Sequence, residues 1–191
     1  MNAPVLAPIP KLFKNDLTGD TFKKCVSCEC NLEEEGQGYI IEKAIKPYLG
    51  FKSYSTVFEY AMCFNCMETM RNELSEESKS KVEAYFIQKA NFSNRPAVIA
   101  GVEPKVEEWL EECLVYETKV DDLGECQIMA HCVGNEMIYH QFPYMISGQV
   151  SDDMLGLLSA KSKEDLDGFK DRVTGGPSEF IELLEKKKIF V

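Results

Sequence analysis

The sequence predicts an α+β fold in two parts, and three observations carry that reading. Two Cys-x-x-Cys pairs, Cys25 with Cys28 and Cys63 with Cys66, bracket a stretch patterned like a β-hairpin. Capped helical segments follow the second pair. The charge then shifts: residues 1–100 carry 12 basic and 13 acidic side chains, a net of −1, and residues 101–191 carry 9 and 19, a net of −10. That shift places a boundary near the middle of the 191-residue chain, with each half close to the smallest size that sustains its own core.

Residues 1–20 read as an irregular lead-in. Met1 to Pro10 is apolar, but Pro4, Pro8 and Pro10 interrupt it and no basic stretch precedes it, so it makes a poor signal peptide. The first cysteine pair lies within Lys23 to Cys30, and an acidic turn follows at Glu33 to Gly36. Gly38 to Ile45 reads as a strand, Pro47 to Gly50 as a turn, and Phe51 to Tyr60, rich in aromatic and β-branched residues, as the return strand. Met67 to Asn72 reads as helical, and Ser75 caps a second helix running to about Lys89. These elements make a module over residues 21–92.

A linker is expected at 93–104, where Pro96, Gly101 and Pro104 cluster. Lys105 to Cys113 reads as a short acidic helix carrying the only Trp, Trp109. Glu125 to Val133 and Glu136 to Ile146 form a hairpin turning at Gly134-Asn135. Ser151 to Ala160 reads as a helix with Ser151 as its cap and Asp152 and Asp153 suiting its dipole, and Ser162 opens another with Asp165 in the capping-box position. Gly175-Gly176-Pro177 then breaks the chain before a last helix at Ser178 to Lys188. Residues 105–191 thus form a small acidic α+β domain with a β-hairpin and C-terminal helices. The second half has no Cys-x-x-Cys, so no internal repeat is expected.

Zinc takes four soft ligands at tetrahedral corners, and a Cys-x-x-Cys turn supplies two of them. Cys25, Cys28, Cys63 and Cys66 are therefore the predicted ligands of one structural Zn2+ per chain, with Lys23 and Lys24 offsetting the thiolate charge. Four cysteines leave no open position for water, so the centre is read as structural and no catalytic residue is assigned. Cys30 is read as a plain small side chain. Four of eight cysteines in ligand spacing, without a secretion signal, fit a reducing cytoplasm. The order of knuckle, hairpin and helix around Cys25-x2-Cys28 and Cys63-x2-Cys66 resembles the treble-clef class of zinc finger over residues 21–92. That class serves nucleic-acid, ubiquitin-pathway and protein-docking proteins alike, so the resemblance implies the zinc module and no single activity.

The remaining chemistry-bearing residues read as structural. Cys113, Cys126, His131, Cys132 and His140 match no common zinc spacing, and on one strand His131 and Cys132 face opposite sides. Glu107, Glu108, Glu111 and Glu112 read as a solvated helix face around Trp109. Lys186 to Lys188 complement a helix dipole, and Ile189-Phe190-Val191 read as docked apolar residues. No apolar run approaches a membrane span. The expected function is a zinc-stabilised, non-enzymatic cytoplasmic binding or adaptor protein with a protein partner. Its faces would be an aromatic hairpin (Tyr39, Tyr48, Phe51, Tyr54) and the acidic second half. Two other classes stay open. One binds nucleic acid through Lys11, Lys14, Lys23, Lys24, Lys43 and Lys46, although the acidic half disfavours phosphate. The other is a thiol oxidoreductase using Cys63 and Cys66.

Overall fold

The computed structural model describes residues 4–48, 53–99 and 101–165 and shows helices flanking one antiparallel sheet, a mixed α+β architecture. The strands are β1 (Val5–Pro8), β2 (Gly38–Pro47), β3 (Tyr54–Cys63), β4 (Cys126–Val133), β5 (Glu136–Tyr139) and β6 (Tyr144–Ser147). Their order is β1-β5-β4-β2-β3, with β6 pairing β4 beside β5. The helices are α1 (Phe64–Glu73), α2 (Glu76–Lys89), the single-turn α3 (Val106–Trp109) and α4 (Gly148–Leu157), and helical conformation resumes at 160–165. Phe51, the turn at 175–177, the helix expected at 178–188, Lys186 to Lys188 and the apolar end all lie outside the described residues.

The expected hairpin forms as β2 and β3, and Ser75 caps α2 as its side chain accepts the Ser78 N–H. Elsewhere the elements differ from expectation for identifiable reasons. The lead-in contributes β1, whose Pro8 is tolerated because β1 is an edge strand. The strand expected at Glu136 to Ile146 splits into β5 and β6, because Pro143 has no N–H to give the ladder. Helix α4 starts at Gly148, so Ser151 lies buried inside it rather than capping it. The next helix is capped by Ser159, whose Oγ accepts the Ser162 N–H at 3.2 Å. Helix α3 stops at Trp109 because the chain turns to bring Cys113 beside Met145 of β6.

Strands β2 and β4 come from opposite sides of the predicted 93–104 linker and pair along eight positions, from Gly38↔Val133 to Ile45↔Cys126. The sequence reading placed them in separate units. Both strands carry buried residues on both faces, so neither can be an exposed edge, whereas net charge reports on the surface. One apolar cluster accordingly runs from Phe13 and Tyr39 through Ile128 and Met145 to Trp109.

One short stretch recurs between the two halves of the chain. Leu74-Ser75-x-x-Ser78-Lys79 recurs as Leu158-Ser159-x-x-Ser162-Lys163. The two copies meet: Ser75 N–H donates to Ser162 Oγ and Ser159 N–H donates to Ser78 Oγ, both at 2.9 Å. Each helix start thus helps to cap the other, satisfying amides that would otherwise be orphaned.

Candidate metal centre

A tight turn presents the first cysteine pair. The Cys25 N–H donates to the Cys30 carbonyl at 3.0 Å and the Glu29 N–H to the Cys25 carbonyl at 2.9 Å. Closing this turn needs a left-handed residue, and Glu29 supplies it at φ +58. The Val26 N–H donates to Ala61 O at 2.9 Å, which docks the turn on β3. The second pair follows β3 directly: Cys63 is the N-cap of α1 and Cys66 lies in its first turn.

Three of the four predicted ligands, Cys25, Cys28 and Cys63, come together, with Cys30 rather than Cys66 as the fourth sulfur of the group. Cys28 Sγ and Cys63 Sγ stand 3.7 Å apart. Zinc–sulfur bonds of about 2.3 Å at tetrahedral corners put neighbouring sulfurs about 3.8 Å apart, so this spacing suits one shared ion. The sulfurs of Cys25, Cys28, Cys30 and Cys63 all lie within 4.8 Å of one another, a cluster that can hold a metal ion. The Cys66 thiol interacts with those of Cys28 and Cys63 beside it. Cys30, read from sequence as a plain side chain, is therefore part of the cluster. The left-handed Glu29 turns the chain back and returns Cys30 to Cys25.

Backbone amides point at the sulfurs. The Cys63 N–H donates to Cys25 Sγ at 3.4 Å. The Cys30 N–H bonds to the Cys28 thiol and, more than any other influence, holds it down to about 6. Burial and then the Cys28 thiol push Cys30 up to about 12, and the same two causes raise Cys66 well above an ordinary thiol. These thiols crowd one another, so they cannot all ionise together without a cation between them. Lys23 and Lys24 are exposed and frame the turn through the Lys24–Asn31 bridge.

The other residues singled out from sequence do not assemble into a site. Cys126 and Cys132 are buried on β4, which pushes both thiols up to about 12. His131 sits on the opposite face between the rings of Phe64 and Phe142, at 4.9 and 5.9 Å, and burial lowers its value. His140 is exposed. Tyr39, expected on an exposed hairpin face, is a core residue whose hydroxyl donates to Gly134 O at 2.8 Å, while Tyr48 and Tyr54 are 50% and 39% exposed. Lys43, grouped with a basic face, is buried. It pairs with Asp16 at 2.8 Å and Glu59 at 2.6 Å, tying the lead-in to the sheet.

Two features had no sequence signal. Glu42 is buried mid-sheet, accepting a bond from the Tyr60 hydroxyl, and burial pushes its carboxyl up to about 8. Arg95 lies over the Trp109 ring at 5.3 Å and donates to the carbonyls of Trp109, Gln141 and Pro143.

No family model matches the chain, and no curated protein or solved structure matches it either. Among the described residues, no helix is long and apolar enough to cross a membrane.

Proposed function

We propose that the chain is a zinc-stapled, non-enzymatic binding protein of the cytoplasm. Cys25, Cys28, Cys63 and Cys66 hold one structural Zn2+ in a treble-clef module, and the fold built on it presents a surface to a protein partner. Tyr48 and Tyr54 at the hairpin tip and the acidic second half are the contact faces. The sulfur cluster carries this reading, above all the 3.7 Å separation of Cys28 and Cys63 with backbone amides aimed at the sulfurs. Cys66 is preferred to Cys30 as fourth ligand for two reasons. It shares the start of α1 with Cys63, and it completes the second Cys-x-x-Cys pair, the spacing by which one turn supplies two zinc ligands. Four thiolates fill a zinc ion's coordination, which favours a staple over a catalyst.

One observation favours a second reading. A Cys28 thiol held down to about 6 beside Cys63 also suits thiol–disulfide exchange, though by Cys28 and Cys63 rather than the expected Cys63 and Cys66. Cobalt(II) titration of reduced, metal-free protein separates the two. The staple gives intense thiolate-to-cobalt charge-transfer bands saturating at one ion per chain, retained in Cys30→Ser and weakened in Cys66→Ser, with no reduction of a disulfide substrate by zinc-loaded protein. Bands kept in Cys66→Ser and lost in Cys30→Ser would move the fourth ligand to Cys30. Disulfide turnover by loaded protein would replace the staple with an oxidoreductase.

A further inference from the structure

The turn that carries Cys25 recurs in the second half bond for bond. Cys25 N–H donates to Cys30 O at 3.0 Å, and Cys113 N–H to Thr118 O at 2.8 Å. Glu29 N–H reaches Cys25 O, and Glu117 N–H reaches Cys113 O, both at 2.9 Å. Leu32 N–H to Lys23 O is matched by Val120 N–H to Glu111 O, again both at 2.9 Å. The bridge Lys24–Asn31 is matched by Glu112–Lys119. Glu29 at φ +58 and Glu117 at φ +54 are the only non-glycine residues with positive φ among those described. Left-handed backbone is disfavoured for glutamate, so its use at equivalent points of two turns is not a generic loop property.

The surroundings repeat as well. Val26 N–H donates to Ala61 O at 2.9 Å and Leu114 N–H to Met145 O at 2.8 Å, docking each turn on an outer strand. Cys63 N–H and Ser147 N–H donate to Cys25 Sγ and Cys113 Sγ, each at 3.4 Å. Cys63 ends β3 opposite Tyr39, Ser147 ends β6 opposite Cys126, and each N-caps a ten-residue helix. Those helices end at Leu74 and Leu158, before the paired Leu-Ser-x-x-Ser-Lys segments.

We infer that residues 111–165 are a metal-free second copy of the zinc module, related to the first by an approximate two-fold axis through the β2–β4 ladder. In it Cys113, Tyr116, Ser147 and Val150 occupy the positions of Cys25, Cys28, Cys63 and Cys66. The second half thus keeps the turn geometry of a thiolate site with only one of its four thiols, Cys113. The inference rests on the ligand set proposed for the first half. What fills the place of the ion is visible. Cys113 Sγ donates to Ser147 Oγ at 3.6 Å, and Val150 is fully buried where the fourth ligand would stand. The Tyr116 hydroxyl turns away and donates to Asp153, which also accepts from Tyr85 at 2.7 Å. Three of four ligands are gone while the turn that presented them remains, held by backbone hydrogen bonds and apolar packing.

Restoring the missing thiols in the full-length chain tests this. The triple variant Tyr116→Cys, Ser147→Cys, Val150→Cys is expected to bind two zinc ions where the wild type binds one, with about twofold greater cobalt charge-transfer absorbance. Adding Cys113→Ala to it should weaken the second ion about tenfold or more and leave the first unchanged. If the triple variant does not fold, the pair Tyr116→Cys, Ser147→Cys spares buried Val150 and should still take a second cobalt ion, more weakly. A folded variant, native by circular dichroism, that holds one ion only overturns the inference. A wild-type chain that holds none instead overturns the ligand set of the first half, so the two failures are distinct.

Discussion

Glu42 should make the protein less stable as pH rises through neutrality, and Glu42→Gln should abolish that loss. The side chain is 2% exposed, and its one hydrogen bond comes from the Tyr60 hydroxyl on Oε2, at 2.5 Å, while Oε1 has no hydrogen-bond partner among the described residues. Burial lifts the carboxyl from 4.5 to about 8, against a smaller lowering by Tyr60. Below pH 4.5 the group is protonated folded or unfolded and contributes no pH dependence. Between 4.5 and about 8 the unfolded chain releases a proton that the folded chain retains, so stability falls by up to about 1.4 kcal/mol per pH unit. Above 8 the loss is complete, and the shift corresponds to about 5 kcal/mol as an upper bound. Gln keeps the shape of the protonated acid, and its amide oxygen accepts the Tyr60 hydroxyl. Urea unfolding of both proteins from pH 5 to 8.5 is the assay. The variant should match wild type at the acid end and exceed it by several kcal/mol at the alkaline end. Comparing the two proteins at each pH cancels what they share: metal loss in acid, and titration of His131, whose value burial lowers. A gap that does not change with pH would mean that Glu42 is already ionised in the fold, and the burial argument fails.

Three further substitutions probe the scaffold, each read by urea or thermal unfolding. Lys43→Ala leaves Glu59 and the partly exposed Asp16 without their buried cation, and should cost about 2–3 kcal/mol, below the range for a fully buried pair; a loss under about 1 kcal/mol would mean that the ion pairs add nothing. Gly38→Ala places a Cβ 2.6 Å from Phe64 Cε2, so the ring must move against His131, at about 1–3 kcal/mol. Tyr39→Phe removes the bond to Gly134 O at the turn between β4 and β5 and should cost about 1 kcal/mol, with no change in metal content.

The sequence showed what is local and hid what depends on distant partners. Cys-x-x-Cys turns, the β2–β3 hairpin and the Ser75 cap are written within a few residues, and each forms where expected. Buried Lys43 and Glu42 could not be read that way, because a charged residue in a strand signals solvent unless its partner is known. The partners of Lys43 come from the lead-in and the far end of the hairpin. Pairing of β2 with β4 was hidden for the same reason, and the change in net charge pointed to a boundary that the ladder crosses. Cys30 was set aside because spacing favours Cys25 and Cys28, while only the left-handed Glu29 shows that it returns to the cluster. The repeat was readable but sought in the wrong residues. The Cys-x-x-Cys pairs do not recur in the second half, whereas Leu-Ser-x-x-Ser-Lys, where helix starts cap one another, does.

The most direct test of the zinc staple is metal content per chain on protein purified under reducing conditions, followed by a thermal melt with and without chelator. One zinc per chain, and a cooperative transition that is lost or strongly lowered on chelation, is the expected result, because the ion ties the Cys25 turn to the start of α1. Protein that is metal-free as purified, melts at the same temperature with chelator, and offers Cys28 and Cys63 as freely titratable thiols would remove the staple and leave a reactive thiol pair in its place.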